Sequence, residues 1–173
     1  MKPKILHFDE LLSSATQSAL HLEMRDTYGV AEEEEEIRLW LSGKWTVDDG
    51  RKALGGWMDL VSGTVARGVS VRRARVVSTP VTTYIRYEHA HTPLNLEAGE
   101  DVRWLPCRQA LGIPLPANDF WLIDTRVVRF NHFSGDGAAV EPEMSDDPAV
   151  TALCGSAFAA VWERAIPHAE FRI

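Results

Sequence analysis

At 173 residues, 45% of them hydrophobic, the chain can bury one sizeable core but is too short for two ordinary domains. Its formal net charge of −7 at pH 7 and its lack of a basic tract argue against direct nucleic-acid binding, because phosphate backbones are held by clustered Lys and Arg. Cys107 and Cys154 stand far apart without metal-ligand spacing, so neither a disulfide framework nor a zinc site is expected, and the setting reads as reducing and cytoplasmic.

The N-terminus, MKPKILHFDELLSSA, lacks the apolar run and cleavage site of an export signal, and no stretch approaches the roughly 18 apolar residues of a membrane span. From Phe8 to Arg25, Leu12, Ala15, Ala19 and Leu22 recur at helical spacing, with Asp9 and Glu10 where a helix dipole favours negative charge. This predicts an amphipathic helix. After Tyr28 and Gly29, the run Glu32 to Glu36 leads into Ile37, Trp40 and Leu41 and stops at Gly43. Carboxylates in a first turn followed by an apolar stripe read as a solvated helix start rather than an interaction tail. A third helix carries Leu54, Trp57, Met58, Val61 and Val65 on one stripe, with Gly68 as its C-terminal cap and Gly55, Gly56 and Gly63 as points of close backbone approach. Gly55-Gly56 does not follow a strand in a GxGxxG pattern, so no dinucleotide fingerprint is present.

The pattern then turns to β. Over Val69 to Ser78, period two puts Val71, Arg73, Arg75 and Val77 on one face and Arg72, Ala74, Val76 and Ser78 on the other. Ser78 or Thr79 can cap a helix with Pro80 at its first position, in which Val81, Tyr84, Ile85 and Glu88 share a face; the β-branched and aromatic content of VTTYIRYEHA keeps a strand open as the alternative. Val102 to Pro106 and Phe120 to Asp124 read as short buried strands joined by the loop CRQALGIPLPAND. Val127 to Phe133 and Ala138 to Val140 flank the hairpin signal Ser134-Gly135-Asp136-Gly137. Asp146 or Asp147 caps a last helix that starts at Pro148 and carries Val150, Cys154, Ala157 and Val161 beside Trp162. The expected fold is α/β, a mixed sheet flanked by helices, with an N-terminal helical segment (1–68) and an α/β core (69–173) in one compact domain.

His89 and His91 would point the same way on a strand and could hold a metal with Glu88 or Glu100. On a helix they diverge by about 200° and cannot share one ion, and with the helix preferred neither a metal nor a cofactor is expected. The same segment fails as phosphodiesterase chemistry of the phospholipase D type: His89 is followed by His91 where that motif needs lysine, and Leu96 stands at the distal aspartate position. Ser78 has no GxSxG context, Cys107 lies in a plain CRQ sequence, and Gly135-Asp136-Gly137 lacks a calcium-ligand ladder. No catalytic residue is therefore assigned.

What remains is a polar network threaded through apolar segments: Arg73, Arg75, Arg86, Glu88, Glu100, Asp101, Arg103, Asp119 and Asp124, with Trp104 and Trp121 beside it. Arginine pairs bidentately with carboxylates, so such a set forms a structural lattice or leaves a guanidinium for a ligand or partner.

FDELL (8–12), LEMRDTYGV (22–30), RRARVVS (72–78) with Pro80, YIRYEH (84–89), Asn95-x-x-AGED-x-RWLP (to Pro106) and LP-x-NDFWLID (115–124) together resemble a family of actinomycete proteins described only as a domain of unknown function. The resemblance covers nearly the whole chain. Members of that family are often encoded beside helix-turn-helix regulators of the Xre type, which implies a role in cytoplasmic regulation. More distantly, the β-α-β-β core with its final helix is similar to the phospholipase D-like sandwich, without its His-x-Lys signature. The expected function is a non-enzymatic regulatory or protein-interaction module that binds a helix-turn-helix regulator through Arg73, Arg75, Trp104 and Trp121. The alternative is a small-molecule or nucleotide sensor, or an enzyme acting on a phosphorylated compound, with Arg73, Arg75, Arg86 and Arg103 holding the anion.

Overall fold

In the computed structural model residues 3–29 and 31–173 are described; Met1, Lys2, Val30 and the side chains of Ala31 and Glu32, the first residue of the acidic run, lie outside that description. The elements run α1 (Phe8–Ser13), β1 (Ser18–Glu23), α2 (Ala31–Leu41), α3 (Val47–Ala66), β2 (Ser70–Val77), α4 (Thr83–Glu97), β3 (Asp101–Pro106), a 3-10 turn (Cys107–Ala110), β4 (Asp119–Ile123), β5 (Val127–Phe133), β6 (Ala139–Ser145), α5 (Pro148–Arg164) and β7 (Ile166–Pro167).

All seven strands join one sheet in the order β6-β5-β4-β1-β2-β3-β7. β1, β2 and β3 are parallel, as strands joined by helical crossovers must be, whereas β4, β5 and β6 follow one another antiparallel through short turns. The expected mixed sheet flanked by helices is what forms.

Alternation along the strands sorts the core onto two faces. On one, Leu22, Ala74, Val76, Leu105, Phe120, Leu122 and Val128 pack beneath Cys154, Phe158 and Val161 of α5. On the other, Ala19, Val71, Trp121 and Ile123 meet Leu11, Leu12 and Val61 from α1 and α3, while Val77, Val102 and Trp104 meet Tyr84 and Ile85 of α4 and Phe171. Arg73 and Arg75 fall on this second face, as period two predicts.

Helix ends follow local chemistry. The Thr46 hydroxyl accepts from the Asp49 amide at 3.2 Å while the Asp49 carboxylate accepts from the Thr46 amide at 2.9 Å, a reciprocal cap for α3. Gly68, at φ 88°, ends that helix. Asp147 caps α5 by accepting from the Ala149 amide at 2.7 Å, with Pro148 at the first position.

Four sequence readings are corrected. Residues 8–25 are not one helix: α1 ends at Ser13, and Ser18–Glu23 form the central strand β1, hydrogen-bonded on both sides by β2 and β4. The sheet therefore draws strands from both sides of position 68. The helix-like stripe is real as a burial pattern, since Leu12, Ala15, Ala19 and Leu22 are all buried, but sheet pairing overrides helical spacing. The cap of α4 is Thr82, whose hydroxyl accepts from the Ile85 amide at 3.2 Å; Ser78 instead donates to Asp26 at 2.5 Å. Finally, Gly55, Gly56 and Gly63 have open space around them, and close approach occurs at Gly50, where a Cβ would meet Trp45 at 2.6 Å and Leu94 at 2.8 Å. The strand foreseen at Ala138 to Val140 runs on to Ser145.

Candidate functional site

Because Glu23 ends β1 beside Arg75 in the parallel register, and both point to the face covered by α2, α3 and α4, a carboxylate and two guanidiniums converge there. Arg73 donates from Nε to Glu100 Oε1 at 2.6 Å and from Nη1 to Glu23 Oε1 at 2.8 Å. Arg75 donates from Nε to Glu23 Oε2 at 2.5 Å, and its Nη2 lies 2.5 Å from Glu88 Oε2. Asn95 completes the shell by donating to Glu100 Oε2 at 2.9 Å. Each oxygen of Glu23 thus holds one arginine. Burial alone would raise the Glu23 carboxyl, but Arg75 and Arg73 outweigh it and hold the group down at about 2.

Aromatic rings frame these charges. The Arg73 guanidinium lies 6.0 Å from the Trp57 ring and 5.9 Å from Trp121, and Arg75 lies 5.0 Å from Trp104. His21 stacks on Trp121 with ring centres 4.2 Å apart. Burial, with Arg73 and Arg75 nearby, pushes the His21 pKa well below the usual histidine value against the pull of Glu23, so the ring is neutral at pH 7.

Over this floor the sheet and the helices form two adjoining compartments, open to solvent, of about 200 and about 460 Å3, which share His21, Glu33, Arg73, Arg75, Glu88 and Asn131 as walls. Together they fall within the size range of small-molecule sites. From α2, Glu33 accepts from the Tyr84 hydroxyl at 2.7 Å and Glu36 from the Tyr87 hydroxyl at 2.6 Å. Burial and the neighbouring Glu88 raise the Glu33 carboxyl to about 7. At the opposite rim Asp119 accepts from the Tyr28 hydroxyl and, at 2.9 Å, from the Met24 amide; burial lifts its carboxyl to about 6.

Several buried polar atoms on these walls have no hydrogen-bond partner: both ring nitrogens of His21, Nε2 of His91 and Nη1 of Arg75. All three residues line the larger compartment. Buried donors and acceptors are normally satisfied by protein or by water, and here three such side chains stand around one cavity.

Of the residues singled out in the sequence, the structure brings together Arg73, Arg75, Glu88 and Glu100, with Trp121 beneath Arg73 and Asp119 at the rim. Arg86 is exposed on α4 and takes no part. Arg103 lies on the opposite face of the sheet, its guanidinium 4.3 Å from the Trp162 ring, and Asp101 is exposed at the start of β3. Trp104 is buried behind Arg75 and donates to His168 at 3.2 Å. Asp124 is a clamp on the chain entering β1, accepting from the amides of Thr16, Gln17 and Ser18 at 3.0, 2.7 and 2.9 Å.

Two expectations change accordingly. The surface of Arg73, Arg75, Trp104 and Trp121 is no surface, because these residues are 8, 4, 0 and 1% exposed, so no protein partner can lie on them. Nor do Arg73, Arg75, Arg86 and Arg103 converge on an anion; the first two are already neutralised by carboxylates and the others point elsewhere. His89 and His91 lie on α4, as the helical reading requires, with His89 against Trp104 and His168 and His91 against Trp45 and Tyr87. Among the described residues no group of three or more His, Cys, Asp or Glu could hold a metal ion, and no helix is long and apolar enough to cross a membrane.

Sequence reasoning missed His21, Glu23, Tyr28, Glu33, Glu36 and Trp57. The first two were hidden by the helical reading of residues 8–25, although SALHLE alternates with period two and would have set Ala19, His21 and Glu23 on one face.

Among solved structures, the chain is similar to the phospholipase D family member Nuc from Salmonella typhimurium, at 13% identity and a TM-score of 0.53 over 94% of this chain and 86% of that one. At that identity the likeness concerns the fold alone. TrmBL2, an archaeal chromatin protein whose structure shows a novel mode of DNA binding, aligns at 15% identity and a TM-score of 0.48 over 91% of this chain and 48% of its own. That likeness carries no argument. No curated protein matches the chain. The family model described as Domain of unknown function (DUF6879) matches residues 6–173, and with the FDELL, AGED-x-RWLP and NDFWLID blocks all inside that span, the chain belongs to this family.

Proposed function

We propose that the chain is a non-enzymatic sensor module of a cytoplasmic regulator: its cavity takes up a small molecule, and occupancy is relayed to a protein partner. The observation that carries this reading is the set of unsatisfied polar atoms of His21, His91 and Arg75 around one cavity. Full pairing of Arg73 and the burial of neutral His21 against Trp121 speak against these groups as a phosphoryl-transfer machine. The resemblance to actinomycete proteins encoded beside Xre-type regulators supplies the partner class, a helix-turn-helix transcription regulator. Leu111 and Leu153, 85 and 48% exposed on the α5 side of the sheet, favour contact there, away from the cavity.

The test is purification of the tagged chain from an actinomycete host, followed by native mass spectrometry and identification of co-purified protein. A bound small molecule that is lost in Ala53→Trp, a substitution that fills the cavity wall, together with a recovered helix-turn-helix regulator, supports the reading. Recovery of no regulator, with transcription unchanged on deletion, removes the partner; a chain that carries and binds no small molecule removes the sensor.

A further inference from the structure

The cavity walls are unequal in charge. Among the described residues Glu23, Glu33, Glu36, Glu88 and Asp119 line the two compartments against Arg25, Arg73 and Arg75. The charges of the floor arginines Arg73 and Arg75 are balanced by Glu23, Glu88 and Glu100, although Nη1 of Arg75 has no hydrogen-bond partner. The side chains of α2 differ: Glu33 and Glu36, three residues apart on one helix face, accept hydrogen bonds from Tyr84 and Tyr87, and the basic side chain closest to either is the ring of His91, with Nε2 3.6 Å from Glu36. Burial holds His91 below the usual histidine pKa, so it is neutral at pH 7 and brings no charge. Two half-buried carboxylates therefore face the cavity with no arginine or lysine paired to them among the described residues, an arrangement that costs free energy unless a positive charge enters.

A second, independent observation concerns what else the cavity asks of an occupant. His21 and His91 are each 6% exposed, and both ring nitrogens of His21 and Nε2 of His91 lack hydrogen-bond partners, so polar groups on an occupant would find partners there as well as charge. Trp57 and Tyr87 line the same compartment, and aromatic rings beside carboxylates are the environment in which organic cations are held.

We infer that the occupant of the cavity is a small organic cation, an ammonium or guanidinium on an aromatic or apolar body, with its charge met by Glu33 and Glu36 and its body against Trp57 and Tyr87. This rests on the sensor reading and narrows it to one ligand chemistry. It also gives α2 a role: the helix carrying both carboxylates closes over the cavity through Tyr84 and Tyr87, and a bound cation fastens it there.

The test uses the full chain and four fragment probes of similar size, benzylamine, phenylguanidine, benzyl alcohol and benzoate, titrated by NMR while the indole signals of the tryptophans are followed. The expected result is saturable binding of the two cations at least about tenfold tighter than benzoate, with the largest shift at Trp57. Glu33→Gln with Glu36→Gln, which keeps an acceptor for each tyrosine hydroxyl, weakens the cations about tenfold and leaves benzyl alcohol unchanged; a thermal melt confirms that this variant folds. Benzoate or benzyl alcohol binding as well as the cations overturns the charge assignment and leaves the sensor reading standing. Failure of all four to bind the cavity overturns both.

Discussion

Glu23 is the residue on which the floor of the cavity depends, since each of its oxygens accepts from a different arginine of the neighbouring strand. Removing one member of a buried ion-paired set leaves the remaining charges without compensation, which typically costs about 3–5 kcal/mol. Arg75→Ala leaves Glu88 without its arginine and Glu23 with Arg73 alone, and urea unfolding should show a loss of that size, whereas Arg75→Met combined with Glu23→Gln and Glu88→Gln should recover a good part of it. Arg73 and Arg75 were legible in the sequence because period two sets alternate residues of a strand on one face. Their carboxylate partners were legible only in part. Glu88 and Glu100 stand in the charged blocks of the middle of the chain, but Glu23 comes from a distant strand, and nothing local in a sequence reports which strands become neighbours.

At the level of elements, the cavity is walled by parts of unequal firmness. β1 is hydrogen-bonded on both sides and clamped at its start by Asp124, whereas α2 is tied to α4 by the Tyr84 and Tyr87 hydroxyls and by Ile37 and Trp40 packed beside those rings. Amide hydrogen exchange should therefore be fast in α2 and slow in β1, and Tyr84→Phe with Tyr87→Phe should speed exchange in α2 without touching β1. α3 packs against α4 closely enough that Gly50 has no room for a side chain. Gly50→Ala forces Trp45 and Leu94 apart, and a loss of about 1–3 kcal/mol in stability is expected from thermal unfolding. β2, α3 and α5 were readable in advance because each combines a clear period with a local stop or cap. β1 was not, since its buried positions satisfy helical and extended periodicities together, and only the sheet decides between them. β7 is two residues long and leaves no pattern at all.

The whole molecule carries its ionisable groups in opposed senses, which fixes how stability follows pH. Glu23 is held at about 2 in the folded chain, below its unfolded value; its contribution is fully present above about pH 4.5 and fades as pH falls toward 2. Glu33 and Asp119 are raised to about 7 and about 6, so the folded chain keeps their protons longer than the unfolded one does. Their effect runs the other way, and stability declines as pH rises from about 4 through 7. Differential scanning calorimetry should find the highest unfolding temperature near pH 5, and Glu33→Gln should flatten the decline toward neutrality while leaving the acid limb unchanged. The two ends of the sheet have a separate consequence. One is β6, interrupted by Pro142, which has no amide hydrogen, between the exposed Glu141 and Glu143; the other is β7, which stops at Pro167 after two residues. Neither offers a continuous ladder to an incoming strand, which disfavours extension of one copy's sheet by another, and crowding at high expression should leave the folded chain free of cross-β fibres.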